Sequence, residues 1–488
     1  MNFILIYPPS YFREPELPIG GLYIAESLLK HGYTVQIINS CTYGEIFSQV
    51  KKYIGDDTLA IGLSVVSVLS LKDALCVSEG LKDSYPDIPI IWGGQHILSQ
   101  PEEIIGDASV DFICLSEGEE VMPQLLEAIK KGGPFNQIKG IGYKDGQKPI
   151  VTDLVNYTSL KGCFKLPYHL INMQRYYRKL NIGGERWLGV IYSRGCPYKC
   201  SFCINSNLKG INSQIRYNDV DHAIYDIKRL ITEYKVDGIT IHDDHFLLNE
   251  NRVIEFCERV ISEKIVVHFR ASGRIDSLYR LSDYSFKLLR KAGFLSINAG
   301  IESGSSKILS LLNKNITLEQ VYSVDEKLSK NGFFKHWNFM TALPEETVDD
   351  VSQTLYLIAQ LAKTCLDSPY PFSYRKYTPL PKTILFEWVA EKFGLEVPKT
   401  LKEWGYFSQR FIDEIEHGDL DLTLRPWMTK ELARYTLEGG VLVESLNRLY
   451  TGKNIDRQSI EFQIKKLEDF SIKGKSDNNG KRRFVGAI

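Results

Sequence analysis

The sequence has almost no excess charge, no long apolar run and no paired spacing among most of its cysteines. Its 59 Lys and Arg residues nearly cancel its 60 Asp and Glu residues, so no general electrostatic attraction draws it to nucleic acid or an anionic membrane. No stretch reaches the roughly 20 apolar residues of a membrane span. The apolar start, Phe3–Tyr7, is too short for a signal peptide and lacks its basic flank. We therefore expect a cytoplasmic protein without a membrane span and without a nucleic-acid partner.

Six of the nine cysteines stand singly in the chain: Cys41, Cys76, Cys114, Cys163, Cys257 and Cys365. This scatter is typical of reduced residues in a globular core and not of a disulfide framework. The length of 488 residues and a hydrophobic content of 43% predict a globular protein of about two to four domains.

The other three cysteines, Cys196, Cys200 and Cys203, share one short loop. Thiolates select zinc, copper(I) or iron–sulfur clusters. A structural zinc site normally has four ligands, and no fourth Cys or His follows at a plausible spacing. A [4Fe–4S] cluster held by three thiolates would leave one iron open to a cofactor or substrate. A zinc loop and three free core cysteines are the alternative interpretations.

The CxxxCxxC spacing of this loop closely resembles the signature of the radical SAM superfamily. The resemblance implies that the open iron binds the amino and carboxylate groups of S-adenosylmethionine (SAM). One electron, from a donor such as flavodoxin or ferredoxin, then cleaves SAM to a 5′-deoxyadenosyl radical. By the same resemblance, Phe202 stacks near the adenine of SAM.

Residues 1–150 alternate apolar runs with amphipathic stretches, which favours a parallel sheet covered by helices on both faces. The predicted strands are Phe3–Tyr7, Thr34–Ile38, Leu59–Val65, Ile88–Trp92 and Asp111–Leu115. The predicted helices are Gly20–Lys30, Leu69–Ser84, Pro101–Ile105 and Glu119–Lys130. This pattern predicts a Rossmann-like or flavodoxin-like domain, closed by a hairpin about Asp145-Gly146.

Ligands of such domains bind at the carboxyl ends of the strands, where four loops carry small or polar residues. As an ordered set these loops resemble those of the cobalamin-binding domain that precedes many radical SAM cores. The resemblance implies cobalamin contacts from Pro8, Ser64, Gly93, Gly94, Glu117 and Gly118. The cobalt-ligating Asp-x-His-x-x-Gly loop of many such domains is replaced by Pro8–Tyr11, and we expect His96 to serve the loop or the nucleotide tail. A Rossmann module without cofactor is the alternative.

After a predicted linker at 151–185, the strand–helix rhythm restarts. The predicted strands are Leu188–Tyr192, Gly238–His242, Val266–Ala271, Ser296–Ile301, His336–Leu343 and Phe372–Tyr377. Six such units over 186–395 predict a partial (β/α)6, TIM-like barrel, whose chemistry lies at the carboxyl ends of its strands. The cysteine loop follows the first of these strands. Residues 396–488 show no such rhythm and predict a mainly helical region with a polar tail.

The ends of the second and third barrel strands carry paired acids and paired arginines. The acidic segment Asp243-Asp244 resembles the family element near the amino group of SAM. A second metal site with His242 and His245 is the alternative. Arg270 and Arg274 are suited to a carboxylate such as that of SAM, and salt bridges inside the barrel rim are the alternative.

The fourth barrel strand ends in Gly-Ile-Glu-Ser-Gly-Ser, a frequent radical SAM element. By resemblance, Glu302 and Ser303 contact the ribose or carboxylate of SAM. The fifth strand departs from the family pattern Gly-Leu-Pro-Gly-Glu-Thr, because Ala342 and Glu345 replace both glycines. Analogy is therefore a weak guide to the substrate.

Taken together, these resemblances imply a cobalamin-dependent radical SAM methyltransferase acting on an unactivated carbon or on phosphorus. Its expected cofactors are a [4Fe–4S] cluster, SAM and cobalamin, and its expected substrate is a small molecule or a peptide. The alternatives are a radical SAM cyclase or oxidase, a radical SAM enzyme that uses no cobalamin, and a non-catalytic metal-binding protein.

Overall fold

The computed structural model describes residues 1–9, 15–155, 157, 160, 165–206, 214–365, 368–451 and 456–474. The N-terminal sheet has seven strands in the order β2-β1-β3-β4-β5-β6-β7. Their bounds are β1 Asn2–Tyr7, β2 Thr34–Asn39, β3 Thr58–Ser64, β4 Ile90–Gly93, β5 Phe112–Cys114, β6 Ile141–Asp145 and β7 Lys148–Val151.

Strands β1 to β5 are parallel, and β6 and β7 form the antiparallel hairpin at one edge. The order 2-1-3-4-5 is that of flavodoxin-like domains, so the predicted fold of this region is confirmed. The helices around this sheet are α1 Ile19–Lys30, α2 Tyr43–Tyr53, α3 Leu71–Ser84, α4 Pro101–Gly106 and α5 Gly118–Lys131. Sequence analysis missed α2, although Thr42 caps it by accepting a hydrogen bond from the Glu45 N–H.

The second sheet has six parallel strands, ordered β15-β14-β13-β12-β11-β8. Their bounds are β8 Trp187–Val190, β11 Gly238–Ile241, β12 His268–Arg274, β13 Phe294–Glu302, β14 Phe334–Thr341 and β15 Phe372–Lys376. A short antiparallel pair, β9 Ser193–Arg194 and β10 Arg216–Tyr217, flanks the cysteine loop. The predicted partial barrel is therefore confirmed, with each strand close to its predicted range.

The helices that follow the barrel strands cover the outside of this sheet. They are α6 Val220–Tyr234, α7 Glu250–Ser262, α8 Ile275–Arg280, α9 Asp283–Lys291, α10 Ser306–Leu311, α11 Leu318–Lys330 and α12 Val348–Ala362. Capping boxes at Thr317 and Thr347 begin α11 and α12, because each threonine and the residue three positions later satisfy otherwise free backbone N–H groups.

Four helices complete the described chain: α13 Ile384–Phe393, α14 Leu401–His417, α15 Lys430–Thr451 and α16 Arg457–Lys473. Helices α15 and α16 pack on α12 of the barrel, whereas α14 packs on α3 of the N-terminal domain. Trp404 and Phe407 of α14 are buried in the N-terminal core, while Tyr406 is 60% exposed. Most of the predicted polar tail, residues 475–488, lies outside the described residues.

In the described part of the chain, no helix is both long enough and apolar enough to cross a membrane.

Candidate functional site

One cavity of about 880 Å³ lies where the two domains face each other. The carboxyl ends of β1, β3, β4 and β5 border it on one side, and the interior face of the barrel borders it on the other. Eight of the predicted site residues line it: Pro8, Ser64, Gly93, Gly94, Glu117, Gly118, Asp244 and Arg270. The sequence therefore identified residues of both domains that the fold brings to a single space.

Gly94 shapes the N-terminal wall of this cavity. Its φ of +108° is disfavoured for any residue with a side chain. A Cβ atom here would lie 2.4 Å from the Val65 carbonyl oxygen, so the two loops approach more closely than any other residue permits. Nearby, the Tyr7 hydroxyl accepts a hydrogen bond from the Gly21 N–H at 2.7 Å, and burial raises the pKa of Tyr7 to about 12. The loops that face the cavity are thus held in fixed positions.

Glu117 links the domains through the two arginines of the short β9–β10 pair. One of its carboxylate oxygens lies 2.5 Å from Arg216 Nη2 and the other 3.2 Å from Arg194 Nη1. Arg194 also pairs with Glu119 at 2.5 Å and lies over the ring of Tyr23. Sequence analysis missed Arg194, although it stands two residues before Cys196. Glu117 was predicted as a cobalamin contact, and the structure shows it engaged with the barrel.

The two adjacent aspartates of the acidic segment point in different directions. Asp243 is buried and accepts hydrogen bonds from the Tyr192 N–H at 2.6 Å and the Ser193 hydroxyl at 2.5 Å. Burial raises the pKa of Asp243 to about 6. Asp244 faces the cavity and accepts from the Gly195 N–H and the Asn205 side-chain amide, both at 3.0 Å. Asp244 therefore fastens both ends of the cysteine loop.

The second-metal interpretation places four consecutive residues in one site, and the structure separates them. His242 lines the cavity with Asp244, whereas His245 is fully buried, with Nε2 3.0 Å from Ser277 Oγ. This alternation follows from the opposite directions of neighbouring side chains on extended backbone. Among the described residues, no three His, Cys, Asp or Glu side chains converge on one metal ion.

The cysteine loop sits against Arg274. Cys200 is buried and accepts a hydrogen bond from Arg274 Nη1 at 2.9 Å. Burial raises the pKa of Cys203 to about 11. In a [4Fe–4S] cluster each cysteine thiolate binds a different iron atom. The finding that no three ligands converge on one metal ion therefore does not bear on such a cluster. A guanidinium donor on a buried thiol fits a negatively charged cluster ligand.

The remaining hydrogen bonds of Arg274 hold it in the barrel rim. Its Nε donates to Asp276 at 2.9 Å, and its Nη2 donates to the Lys314 carbonyl oxygen at 2.5 Å. The guanidinium carbon lies 3.8 Å from the centre of the Tyr198 ring. Every nitrogen that can donate is thus engaged within the protein.

Glu302 forms a buried pair with Lys314, whose Nζ lies 2.7 Å from its carboxylate. Its backbone has a φ of +76°, a conformation that costs energy and is concentrated at functional sites. The same ammonium lies 5.9 Å from the Phe202 ring centre. Ser303 is fully buried and hydrogen-bonds Thr354 at 3.1 Å. Phe202 and Glu302 thus meet near the cysteine loop, while Ser303 packs against α12.

His96 is buried, and its burial lowers its pKa to about 4. It is not among the described residues that line the cavity. The preceding residue, Gln95, makes a contact between the domains: its Nε2 donates a hydrogen bond to Asn205 Oδ1 at 2.6 Å. This bond joins the Gly93-Gly94 loop to the end of the cysteine loop. Neither amide carries a pattern that sequence reasoning recognises.

Comparisons with known proteins agree with this architecture. The family model described as the B12 binding domain matches residues 12–126, and that of the Radical SAM superfamily matches residues 190–358. The chain is 27% identical over 386 residues to an uncharacterized methyltransferase, PH0819, of Pyrococcus horikoshii, covering 76% of this chain and 81% of the relative. It is 25% identical over 415 residues to an anaerobic magnesium-protoporphyrin IX monomethyl ester cyclase of Rubrivivax gelatinosus, covering 80% and 70%.

A solved structure shares the fold. The cobalamin-dependent SAM radical enzyme OxsB, with aqua-cobalamin and SAM bound, superposes with a TM-score of 0.65 and 17% identity. The superposition covers 97% of this chain and 71% of OxsB, and at this identity it supports the fold alone. The two domain matches, their order and the cysteine loop lead to one conclusion. The chain carries a B12-binding domain followed by a radical SAM domain.

Proposed function

We propose that this chain is a cobalamin-dependent radical SAM methyltransferase. The observation that carries the proposal is the shared cavity, because it places the ligand-binding edge of the B12-binding domain opposite the interior of the radical SAM barrel. A methyl group carried on one side and a substrate held on the other can meet only across such a space. Bound there together, the cluster, SAM and cobalamin would supply an electron, hydrogen abstraction and a methyl group.

In this proposal Cys196, Cys200 and Cys203 hold the [4Fe–4S] cluster. The hydrogen bond from Arg274 to Cys200 and the two bonds by which Asp244 holds the loop keep the cysteines in place. SAM lies beside Phe202, Asp244 and Glu302. The protein's own task is to orient these groups and keep water away from them.

Cobalamin fits the N-terminal wall of the cavity. The close approach of the Gly94 and Val65 loops leaves an open surface at the strand ends, and Pro8, Ser64, Gly93 and Gly118 border it. None of the nine histidines of the chain stands in a cobalt-ligating Asp-x-His-x-x-Gly loop. We therefore expect cobalamin to bind without a histidine side chain as a ligand to its cobalt.

A second candidate function is ring formation, because the chain is similar to magnesium-protoporphyrin monomethyl ester cyclases over 80% of its length. The two reactions differ in their products from SAM. A methyltransferase of this type converts one SAM to 5′-deoxyadenosine and methionine, and a second SAM to S-adenosylhomocysteine. A cyclase forms no S-adenosylhomocysteine.

The test uses anaerobically reconstituted protein with hydroxocobalamin, dithionite and SAM deuterated at its methyl group. The protein is incubated with a metabolite extract from cells that lack it. We expect 5′-deoxyadenosine, S-adenosylhomocysteine and one extract component that gains a trideuterated methyl group. A Cys200→Ala variant is the matched control and should form none of these. 5′-Deoxyadenosine without S-adenosylhomocysteine would favour the cyclase, and the absence of both from the unaltered protein would refute the proposal.

We further propose that the protein works in the reducing cytoplasm with a flavodoxin or ferredoxin as its electron donor. None of the eight described cysteines forms a disulfide in the structure, which suits such a compartment.

A further inference from the structure

The interior face of the barrel is polar where barrels of this kind are usually filled by branched apolar side chains. Alternation along the strands places one set of residues inward, because the other set (Phe269, Trp337 and Phe372 among them) is buried beneath the helices. Besides Arg274 at the rim, the inward set includes two arginines and several neutral polar residues: Arg270, Asn298, His336, Asn338, Ser373 and the solvent-exposed Arg375.

Arg270 is the member of this set that borders the cavity. Its Nε donates to Asn298 Oδ1 at 3.0 Å, and within the described residues its two Nη groups have neither a hydrogen bond nor an ion pair with a carboxylate. Burial alone lowers the pKa of this guanidinium. A cation in this position lacks a compensating charge, which is costly unless an anion completes it.

Among the described residues that point inward from β12 to β15, no carboxylate pairs with Arg270 or Arg375. The nearest inward carboxylate along these strands, Glu302, is already paired with Lys314. Asp244 borders the same cavity but is bound to Gly195 and Asn205. Glu16, also at the cavity, is exposed to solvent.

His336 adds a neutral donor or acceptor to this surface. Its Nδ1 lies 2.9 Å from the Tyr370 carbonyl oxygen, and its Nε2 lies 3.0 Å from Ser373 Oγ. Burial and the charges of Arg270 and Arg375 lower its pKa to about 4. The ring is therefore neutral at pH 7, and the net positive charge of the surface rests on the two arginines.

Arg270 is badly placed for the carboxylate of SAM. Arg274 touches Cys200 at the barrel rim, and Arg270 precedes it by four residues on β12. At roughly 3.3 Å per residue this is about 13 Å deeper in the barrel. The carboxylate of SAM, if bound at the cluster, would lie at the barrel rim, whereas Arg270 lies at the floor of the cavity.

We propose that Arg270 receives an anionic oxygen-acid group of the substrate, a carboxylate or a phosphoryl group, and that the solvent-exposed Arg375 adds positive charge from a greater distance. This inference names the substrate class for the proposed function and rests on it. An arginine fork is suited to two oxygens of such a group. The anion would fix the substrate's depth and so decide which of its carbon or phosphorus atoms faces the rim.

The experiment measures anion binding and needs no turnover. Inorganic phosphate and acetate are titrated calorimetrically, in separate runs, into protein loaded with cluster, hydroxocobalamin and SAM. The variants are Arg270→Gln, Arg270→Lys and Arg375→Gln, and the matched control is Arg448→Gln, an exposed arginine on α15. The affinity of each protein for SAM is measured in parallel.

We expect one anion site in the unaltered protein and in Arg448→Gln. Its affinity should fall by about 10- to 100-fold in Arg270→Gln, with a smaller loss in Arg270→Lys and in Arg375→Gln. Tighter binding of phosphate than acetate would assign a phosphoryl group, and the reverse would assign a carboxylate. Should Arg270→Gln fail to fold, the other two variants decide.

The inference is overturned if neither anion binds at a single site, or if both bind equally well to all variants. It is also overturned if Arg270→Gln loses affinity for SAM and keeps its affinity for the anion, because Arg270 would then be a cofactor ligand. Failure of the methyl-transfer assay leaves these binding results unaffected, so the two proposals fail separately.

Discussion

At the scale of single residues, the site depends on a few positions at which no other amino acid can serve. Cys200 is the most enclosed of the three loop cysteines and the one that Arg274 contacts. Gly94 has a backbone conformation that disfavours any side chain, and it lies so close to the Val65 carbonyl oxygen that a Cβ atom would clash with it. Each of these positions can be tested against a residue of the same type that lacks the special environment.

Replacing Cys200 with alanine should leave the protein folded but nearly free of iron, because two thiolates cannot hold a cluster that needs three. Iron content and the absorbance of the reconstituted protein measure this. Cys76→Ala is the control, since Cys76 is an exposed thiol on α3 and its loss should change neither quantity. A Cys200→Ala protein with a full complement of iron would exclude the proposed ligand set.

Replacing Gly94 with alanine should destabilise the protein by about 1–3 kcal/mol or more, because its φ of 108° and ψ of 168° lie in a region that is essentially restricted to glycine. The added contact with Val65 increases this cost and displaces the loop at the cavity wall. Urea unfolding and retention of hydroxocobalamin on gel filtration check the two effects. Gly106→Ala, whose Cβ would meet nothing within 4 Å, should alter neither. Unchanged stability and cobalamin retention in Gly94→Ala would contradict the prediction.

At the scale of elements, the loop between β14 and α12 is organised by a buried acid. Glu346 accepts a hydrogen bond from the Leu343 N–H at 3.1 Å and lies 3.4 Å from the Thr341 hydroxyl. Its other oxygen has no hydrogen-bond partner within the described residues. Burial raises the pKa of Glu346 to about 8, so the folded protein keeps this group protonated near neutral pH.

This protonation predicts a fall in stability with rising pH. Because the pKa is about 8 in the folded state and 4.5 without burial, the folded state binds the extra proton between these values. The contribution of this proton to the free energy of unfolding is complete below pH 4.5. It is lost as the pH rises to about 8, by at most about 1.4 kcal/mol per pH unit. Urea midpoints at pH 5, 6, 7 and 8 measure the slope.

Glu346→Gln should flatten the slope between pH 6 and 8, since the amide keeps the shape of the protonated acid and cannot ionise. Below pH 6 a slope remains, because burial also raises the pKa of Asp243 to about 6. Glu391→Gln on α13, where the carboxylate is exposed, is the matched control and should keep the slope. Equal slopes in Glu346→Gln and in the unaltered protein would show that another group is responsible.

Element positions were predictable from the sequence where apolar patterning was strong. All eleven parallel strands were anticipated near their observed bounds, because those of the first sheet are largely continuous apolar runs and those of the barrel each bury one apolar face. Helices α2 and α13 were missed, and α14 was anticipated only as part of the mainly helical region 396–488, since the capping residues Thr42, Thr383 and Thr400 are common in loops as well. The cysteine spacing marked the candidate site. The contacts that organise it, such as Gln95 with Asn205, join distant parts of the chain and have no local signature.

At the scale of the whole molecule, the C-terminal region binds back onto the N-terminal domain. Helix α14 lies along α3, and the Lys72 Cα atom is in van der Waals range of Gly405, 3.5 Å from the position a Cβ there would take. Trp404, Phe407 and Phe411 enter the same apolar core as the first sheet. The first domain is therefore completed by residues that follow the barrel in sequence.

Trp404→Ala should lower the free energy of unfolding by about 3–5 kcal/mol, as expected when a large buried aromatic side chain is removed. Trp404 is 2% exposed. Urea unfolding, together with limited proteolysis of the N-terminal domain, measures the loss. Tyr406→Ala on the same helix is the control, because that ring is 60% exposed and its removal should cost less than about 0.5 kcal/mol. Similar values for both variants would mean that α14 does not support the first domain.

The late arrival of α14 has a consequence for biosynthesis. When residues 1–150 leave the ribosome, the face of α3 that α14 will cover is bare, and it stays so until the barrel has been translated. The nascent chain thus presents an apolar strip over most of its synthesis, and such transiently exposed surface favours aggregation until α14 covers it. Completion of the vitamin-binding half is thereby coupled to completion of the catalytic half.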